Sequence, residues 1–232
     1  AAALERDGYA VVREVLPDGN ELSQARSSIW RNLASLSFGP PPAAKPPWGL
    51  AGGDVREGGT LREWDMLRQV SNPFGMPWPM SQSEWGWRIR SLPALAHVFS
   101  HSVFNGTSDL IVSFDVGSIY PPSEVEEAVG IELLEGWLHV DQNPIWRPGR
   151  QTIQSLVTCY DADESTGSFV VYPGSHTYHH EIASAALARS RSRGAAPPAV
   201  SENFVQIQSS DVTQHMPTHA YRPPVLLRMR AG

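Results

Sequence analysis

Apolar and polar positions follow two different periods along this chain. Toward the N-terminus the spacing is helical. Asp18 or Asn20 caps a predicted helix that runs to about Leu36, with Leu22, Ile29, Leu33 and Leu36 along it. Ser91-Leu92-Pro93, a capping residue and an early proline, opens a second helix through Val98 or Ser102. From Leu110 the period falls to two. Strands are predicted at Leu110–Val116, around His139, at Gln151–Tyr160, at Ser168–Tyr172 and at Pro224–Arg230. An earlier strand, Gly8–Val12, follows a short helix end at Glu5 and is bounded by Pro17-Asp18-Gly19. Arg147-Pro148-Gly149-Arg150, Pro173-Gly174-Ser175-His176 and the polar stretch Asp161–Gly167 separate the later strands. A helical pattern returns at Ile182–Ala188. Short strands divided by turn signals predict an antiparallel sandwich or barrel, not a parallel βαβ sheet.

Composition narrows the class. The chain has 232 residues, enough for one sizeable domain, expected to span 1–232. A hydrophobic content of 41% with 18% charged residues is that of a globular chain. A net charge of -6 argues against nucleic acid and against an anionic membrane surface as partners. No apolar run approaches the length of a membrane span. Cys159 is the single cysteine, so an internal disulfide is excluded and a cytoplasmic, reducing location is expected. The first residues lack both an initiator Met and a signal-peptide core, so the sequence reads as a processed chain or a fragment.

Several stretches have a bland reading and a functional one. The proline-rich segment from Gly39 to Trp48 is a surface loop in preference to an SH3-type ligand. Trp64, Trp78, Trp85 and Trp87 either wall an aromatic pocket or pack irregular segments together. His97 and His101, four apart, read as a hydrogen-bonded or solvated face, not a metal pair. The acidic stretch Glu124–Glu135 reads as solvated. Arg189, Arg191 and Arg193 suit the end of a helix better than an RNA-binding arm. There is no Gly-Lys-Ser/Thr phosphate loop and no Gly-x-Ser-x-Gly nucleophile elbow.

The chemistry concentrates in Trp137-Leu138-His139-Val140-Asp141-Gln142-Asn143-Pro144. On an extended strand, residues two apart project to the same side. His139 and Asp141 can therefore aim an imidazole nitrogen and a carboxylate oxygen at one point. These are two of the three ligands of the 2-His-1-carboxylate triad that holds non-haem Fe(II).

The His-x-Asp stretch, the following Gln151-Thr-Ile-Gln-Ser-Leu-Val, and Gly167-Ser-Phe-Val-Val-Tyr-Pro-Gly-Ser-His176 occur in an order and spacing that resemble the phytanoyl-CoA dioxygenase family. Asp7-Gly8-Tyr9-Ala10-Val11-Val12 also looks like that family's N-terminal strand. The likeness covers the first 20 residues or so and roughly 108–232, and does not extend to 37–90. It implies a mainly β fold with flanking helices, a double-stranded β-helix or jelly roll. It implies Fe(II) and 2-oxoglutarate, which with O2 oxidise a small-molecule substrate. His139 and Asp141 would be metal ligands. Gln142 would bind 2-oxoglutarate or orient the carboxylate, and Gln154 would line the same cavity. His176 would be structural. The family's distal metal histidine and its 2-oxoglutarate-gripping arginine follow an Ala-Gly-Asp turn, and the chain stops at Ala231-Gly232, so a truncated oxygenase is expected. His215 and His219, which flank Pro217, would supply a third ligand only if the backbone folds back. The alternative is an inactive jelly-roll binding module.

Overall fold

A computed structural model describes residues 1–16, 19–35, 81–113, 115, 117–120, 137–194 and 203–232, with residues 33–35 as backbone alone. The proline-rich segment, Trp64, Trp78 and the acidic stretch 124–135 lie outside the described residues. The helices are α1 (Ala2–Asp7), α2 (Gly19–Ser35), α3 (Glu84–Arg90), α4 (Pro93–His97), α5 (His179–Ser192) and α6 (Ser209–His215), and α4 runs on into a π-helical turn, Val98–Val103. The strands are β1 (His139–Val140), β2 (Val170–Val171), β3 (Val205–Gln206) and β4 (Val225–Leu226). β1 pairs with β3 and β2 with β4, both antiparallel.

The expected mainly β jelly roll is therefore wrong. The described residues hold two sheets of two strands each, every strand two residues long, amid helix and irregular backbone. Alternating apolar residues make a strand only where the backbone also finds a ladder partner. At 110–113 the backbone has no regular structure, and Ile111 is fully exposed. Residues 9–12 are irregular too, and the chain just before them is helical, ending at Gly8. Gly8, at φ 80, caps that helix through its N–H on the Leu4 carbonyl, and Asp7 O accepts from Gly174 N at 2.8 Å. Gln151–Tyr160 carries the strand pattern without forming a strand. The predicted Ser168–Tyr172 and Pro224–Arg230 strands shrink to β2 and β4.

The described chain divides into two compact units. One holds Ala1–Val12, Glu135–Ser155 and Ser168–Arg228. Its core is the buried face of α5 (Ile182, Ala183, Ala186, Leu187) against Val205, Ile207, Val212 and Met216, with Leu138 and Val140 packed on it. The spacing Ile182, Ala183, Ala186, Leu187 is a helical stripe, and its small alanines let the β1–β3 ribbon approach closely. Arg189, expected in solvent, forks onto buried Asp211: Nε donates to Oδ1 at 3.1 Å and a terminal nitrogen to Oδ2 at 2.7 Å.

The other unit holds Arg13–Leu134, Leu156–Gly167 and Met229–Gly232. Here α2 buries Ala25, Ser28, Ile29 and Trp30, and Val15, Leu16 and Leu92 form a small cluster with Leu22, Ile89 and Val157. The Gly232 carbonyl accepts from Val15 N at 2.8 Å, and Gly232 N donates to Thr158 O at 3.0 Å. Trp85 is buried and lies against Gly117, where an added Cβ would meet the indole at 2.8 Å. Trp87 is exposed beneath the Arg90 guanidinium. Burial pushes the Cys159 thiol up to about 11, so it is a packing residue, not a nucleophile. Among the described residues no helix is long and apolar enough to cross a membrane.

Candidate metal-ligating face

The site lies on the β1–β3 ribbon of the first unit. Val140 pairs with Val205 and His139 with Gln206, and Ile207 N donates to Leu138 O at 3.0 Å. Leu138, Val140, Val205 and Ile207 belong to the hydrophobic cluster under α5. Side chains alternate along a strand, so burying that set turns Trp137, His139, Asp141, Phe204 and Gln206 to the opposite face. The apolar core thus fixes the orientation of the polar pair.

His139 and Asp141 meet there. His139 Nε2 lies 3.5 Å from Asp141 Oδ2, with the histidine side chain 21% and the aspartate 42% exposed. His139 Nδ1 is 2.8 Å from the Trp137 carbonyl, a contact in which only a protonated Nδ1 can donate. In the neutral ring that leaves the lone pair on Nε2, the atom facing Asp141, and in the protonated ring Nε2–H points at the carboxylate. Burial pulls the His139 pKa down, but the Asp141 carboxylate and the Trp137 carbonyl outweigh it, and the net shift is upward. The His139 ring draws the Asp141 pKa below its usual range against the effect of burial, and Gln154 adds to the lowering.

The two glutamines divide their work. Gln154 Nε2 donates to Asp141 Oδ2 at 2.9 Å and so orients the carboxylate. Gln142 is buried and turned into its own loop. Its Nε2 donates to the Arg147 carbonyl at 2.7 Å and to the Gly149 carbonyl. Its Oε1 accepts from Gln151 N at 3.0 Å and Thr152 Oγ1 at 3.4 Å. A side-chain amide has two donors and about two acceptor sites, so Gln142 is saturated as a loop clamp. The His179 ring is half-buried and bonded to the Gln142 backbone, and burial lowers its pKa.

Two donors at 3.5 Å suit one cation. Nitrogen and oxygen ligands about 2.1 Å from a metal and at right angles would stand roughly 3.0 Å apart. Among the described residues, however, no group of three His, Cys, Asp or Glu side chains is gathered. His215 Nδ1 faces the Asp211 carbonyl at 2.9 Å on α6, and His219 sits in the turn after Pro217. His176 Nε2 faces the Glu5 carbonyl at 3.1 Å, and its ring lies against Gly8. The donor set thus fits a His/carboxylate cation site as two of its ligands and falls one short of a triad.

Sequence reasoning did not single out the ring cluster around His139. The imidazole lies 4.2 Å from the Trp137 ring and 5.0 Å from Phe204, centroid to centroid, with planes 27° and 28° apart. Trp137 and Phe204 are themselves 5.8 Å apart at 28°. Trp137 was legible as the residue two before His139. Phe204 was not, because it stands just before β3, 65 residues on, whose register only the fold reveals.

No family model, no curated protein and no solved structure matches this chain.

Proposed function

We propose that this chain carries the metal-ligating residues of an Fe(II)- and 2-oxoglutarate-dependent oxygenase acting on a small organic molecule, with His139 and Asp141 as ligands. The observation that carries the reading is the convergence of His139 Nε2 and Asp141 Oδ2 to 3.5 Å on one face of the ribbon. The motif order around Gly167–His176 supports it from the sequence side. The reading rests on this face and not on a jelly-roll scaffold.

Each residue has a definable task. The Trp137 carbonyl holds the Nδ1 proton of His139, which keeps Nε2 free to donate its lone pair. Gln154 takes one direction of Asp141 Oδ2 and fixes the carboxylate plane. Gln142 keeps the loop from Arg147 to Thr152 closed beneath the ligand aspartate. When bound, the metal would couple the oxidative decarboxylation of 2-oxoglutarate by O2 to oxidation of the substrate. A two-donor set also suits a binding module without turnover, and one experiment separates the two.

Mn(II) is titrated into the protein with and without 2-oxoglutarate and followed by water-proton relaxation, and succinate is assayed with Fe(II) under air. A single saturable site that weakens at least tenfold in Asp141→Asn, together with succinate release, is expected for the oxygenase. Mn(II) binding without succinate identifies the binding module. Binding that is unchanged in Asp141→Asn and in His139→Ala rules out the metal site.

A further inference from the structure

We infer that Gln206 is a third protein ligand of the cation site, its side-chain amide oxygen joining His139 Nε2 and Asp141 Oδ2. The inference rests on the reading of those two residues as metal ligands.

The ladder places Gln206 beside them. Ile207 N donates to Leu138 O at 3.0 Å, which makes Leu138 and Ile207 a hydrogen-bonded pair of the antiparallel ribbon. The next pair along, His139 and Gln206, is therefore of the non-hydrogen-bonded kind. In such pairs the Cα atoms stand only about 4.5 Å apart and the side chains approach most closely. Register decides the face as well. Val205 and Ile207 are buried in the core under α5, so Gln206 between them projects to the side that carries His139 and Asp141. A glutamine amide oxygen and a histidine Nε2 are equally many bonds from their Cβ atoms, so both can reach the same height above the ribbon.

The side chain is also chemically free to serve. Gln206 is exposed, and its amide makes no hydrogen bond among the described residues. Gln142, by contrast, is saturated by its loop, and Gln154 is committed to Asp141. The Gln206 carbonyl is a neutral, hard oxygen donor, the kind that suits Ca(II), Mg(II) and Mn(II). With one imidazole and one carboxylate it completes a three-donor face and leaves the far side of a cation to water or a co-substrate.

The test is Mn(II) titration of the protein followed by water-proton relaxation. Gln206→Met keeps the length of the side chain without its oxygen, and Gln206→Glu keeps an oxygen. The position is exposed, so neither change touches the core. Gln206→Met should weaken Mn(II) binding at least about tenfold, because even the groups that orient ligands contribute that much. Water should take the place of the lost amide, so each bound Mn(II) should relax solvent faster in Gln206→Met than in the wild type. Gln206→Glu should bind at least as tightly as the wild type, with wild-type relaxivity. Wild-type affinity in Gln206→Met, alongside the tenfold loss in Asp141→Asn, overturns the inference and leaves the His139–Asp141 reading standing. Weaker binding with unchanged relaxivity in Gln206→Met does the same, since it makes Gln206 an indirect support, and so does a Gln206→Glu variant as weak as Gln206→Met. A wild-type chain that binds no Mn(II) sinks both.

Discussion

At the scale of single residues, Gln154 is what holds the Asp141 carboxylate in place. Asp141 Oδ2 faces His139 Nε2 at 3.5 Å and accepts from Gln154 at 2.9 Å. Groups that hold a ligand in place typically contribute 10- to 100-fold to metal affinity. Gln154→Leu keeps the size of the side chain and removes the donor, so Mn(II) should bind about 10- to 100-fold more weakly while the fold persists. Unchanged Mn(II) affinity would show that Asp141 needs no such support. The pair itself was legible in the sequence because an i, i+2 spacing on extended backbone has one geometric outcome. The roles of the glutamines were not. Adjacency to Asp141 suggested Gln142 as its partner, yet odd and even positions face opposite ways. Gln142 turns into its loop, and a residue 13 positions from Asp141 takes the carboxylate.

At the scale of elements, α1 is the instructive case. It is six residues long and buries none of them, far below what a free helix needs to persist. What holds it is polar: Arg222 donates to Asp7 Oδ1 at 2.7 Å, Gly174 N to Asp7 O at 2.8 Å, and Arg150 to Glu5 Oε1 at 2.6 Å. The Arg6 and Arg222 guanidiniums lower the Asp7 carboxyl to about 2. Its folded pKa lies below the unfolded value of about 3.9, so the contribution is fully present above that value and is lost as pH falls through about 2. Arg222→Ala should therefore lower the melting temperature at neutral pH, and the gap from wild type should narrow between about pH 4 and pH 2. A gap that stays constant across that range would mean Arg222 acts by packing and not through Asp7. Helices were the better-read elements. α2 spans Gly19–Ser35 where a helix from Asp18 or Asn20 to about Leu36 was expected. Its signal is local: an amphipathic stripe and a capping residue. Strands failed because pairing depends on a partner elsewhere in the chain, and alternation is silent about that partner.

At the scale of the whole molecule, the Arg189–Asp211 fork supports the site from outside it. Asp211 is 5% exposed and sits at the start of α6, where Gln208 N also donates to its Oδ2 at 2.7 Å. Burial alone would raise its pKa, but Arg189 and the Gln208 amide hold it below the ordinary range, so it stays a carboxylate. It thereby ties α5 to α6, and the apolar faces of those two helices support β3, the strand beside Phe204. Removing one member of a buried pair costs about 3–5 kcal/mol, here toward the lower figure because the Arg189 left behind is 24% exposed. Against a typical stability of about 5–15 kcal/mol, that is a large fraction. Asp211→Ala should lose about this much in urea unfolding, whereas the double change Arg189→Met with Asp211→Leu should recover most of it, short of the Gln208 cap. If the double variant is as unstable as the single one, the cap and not the ion pair holds α6.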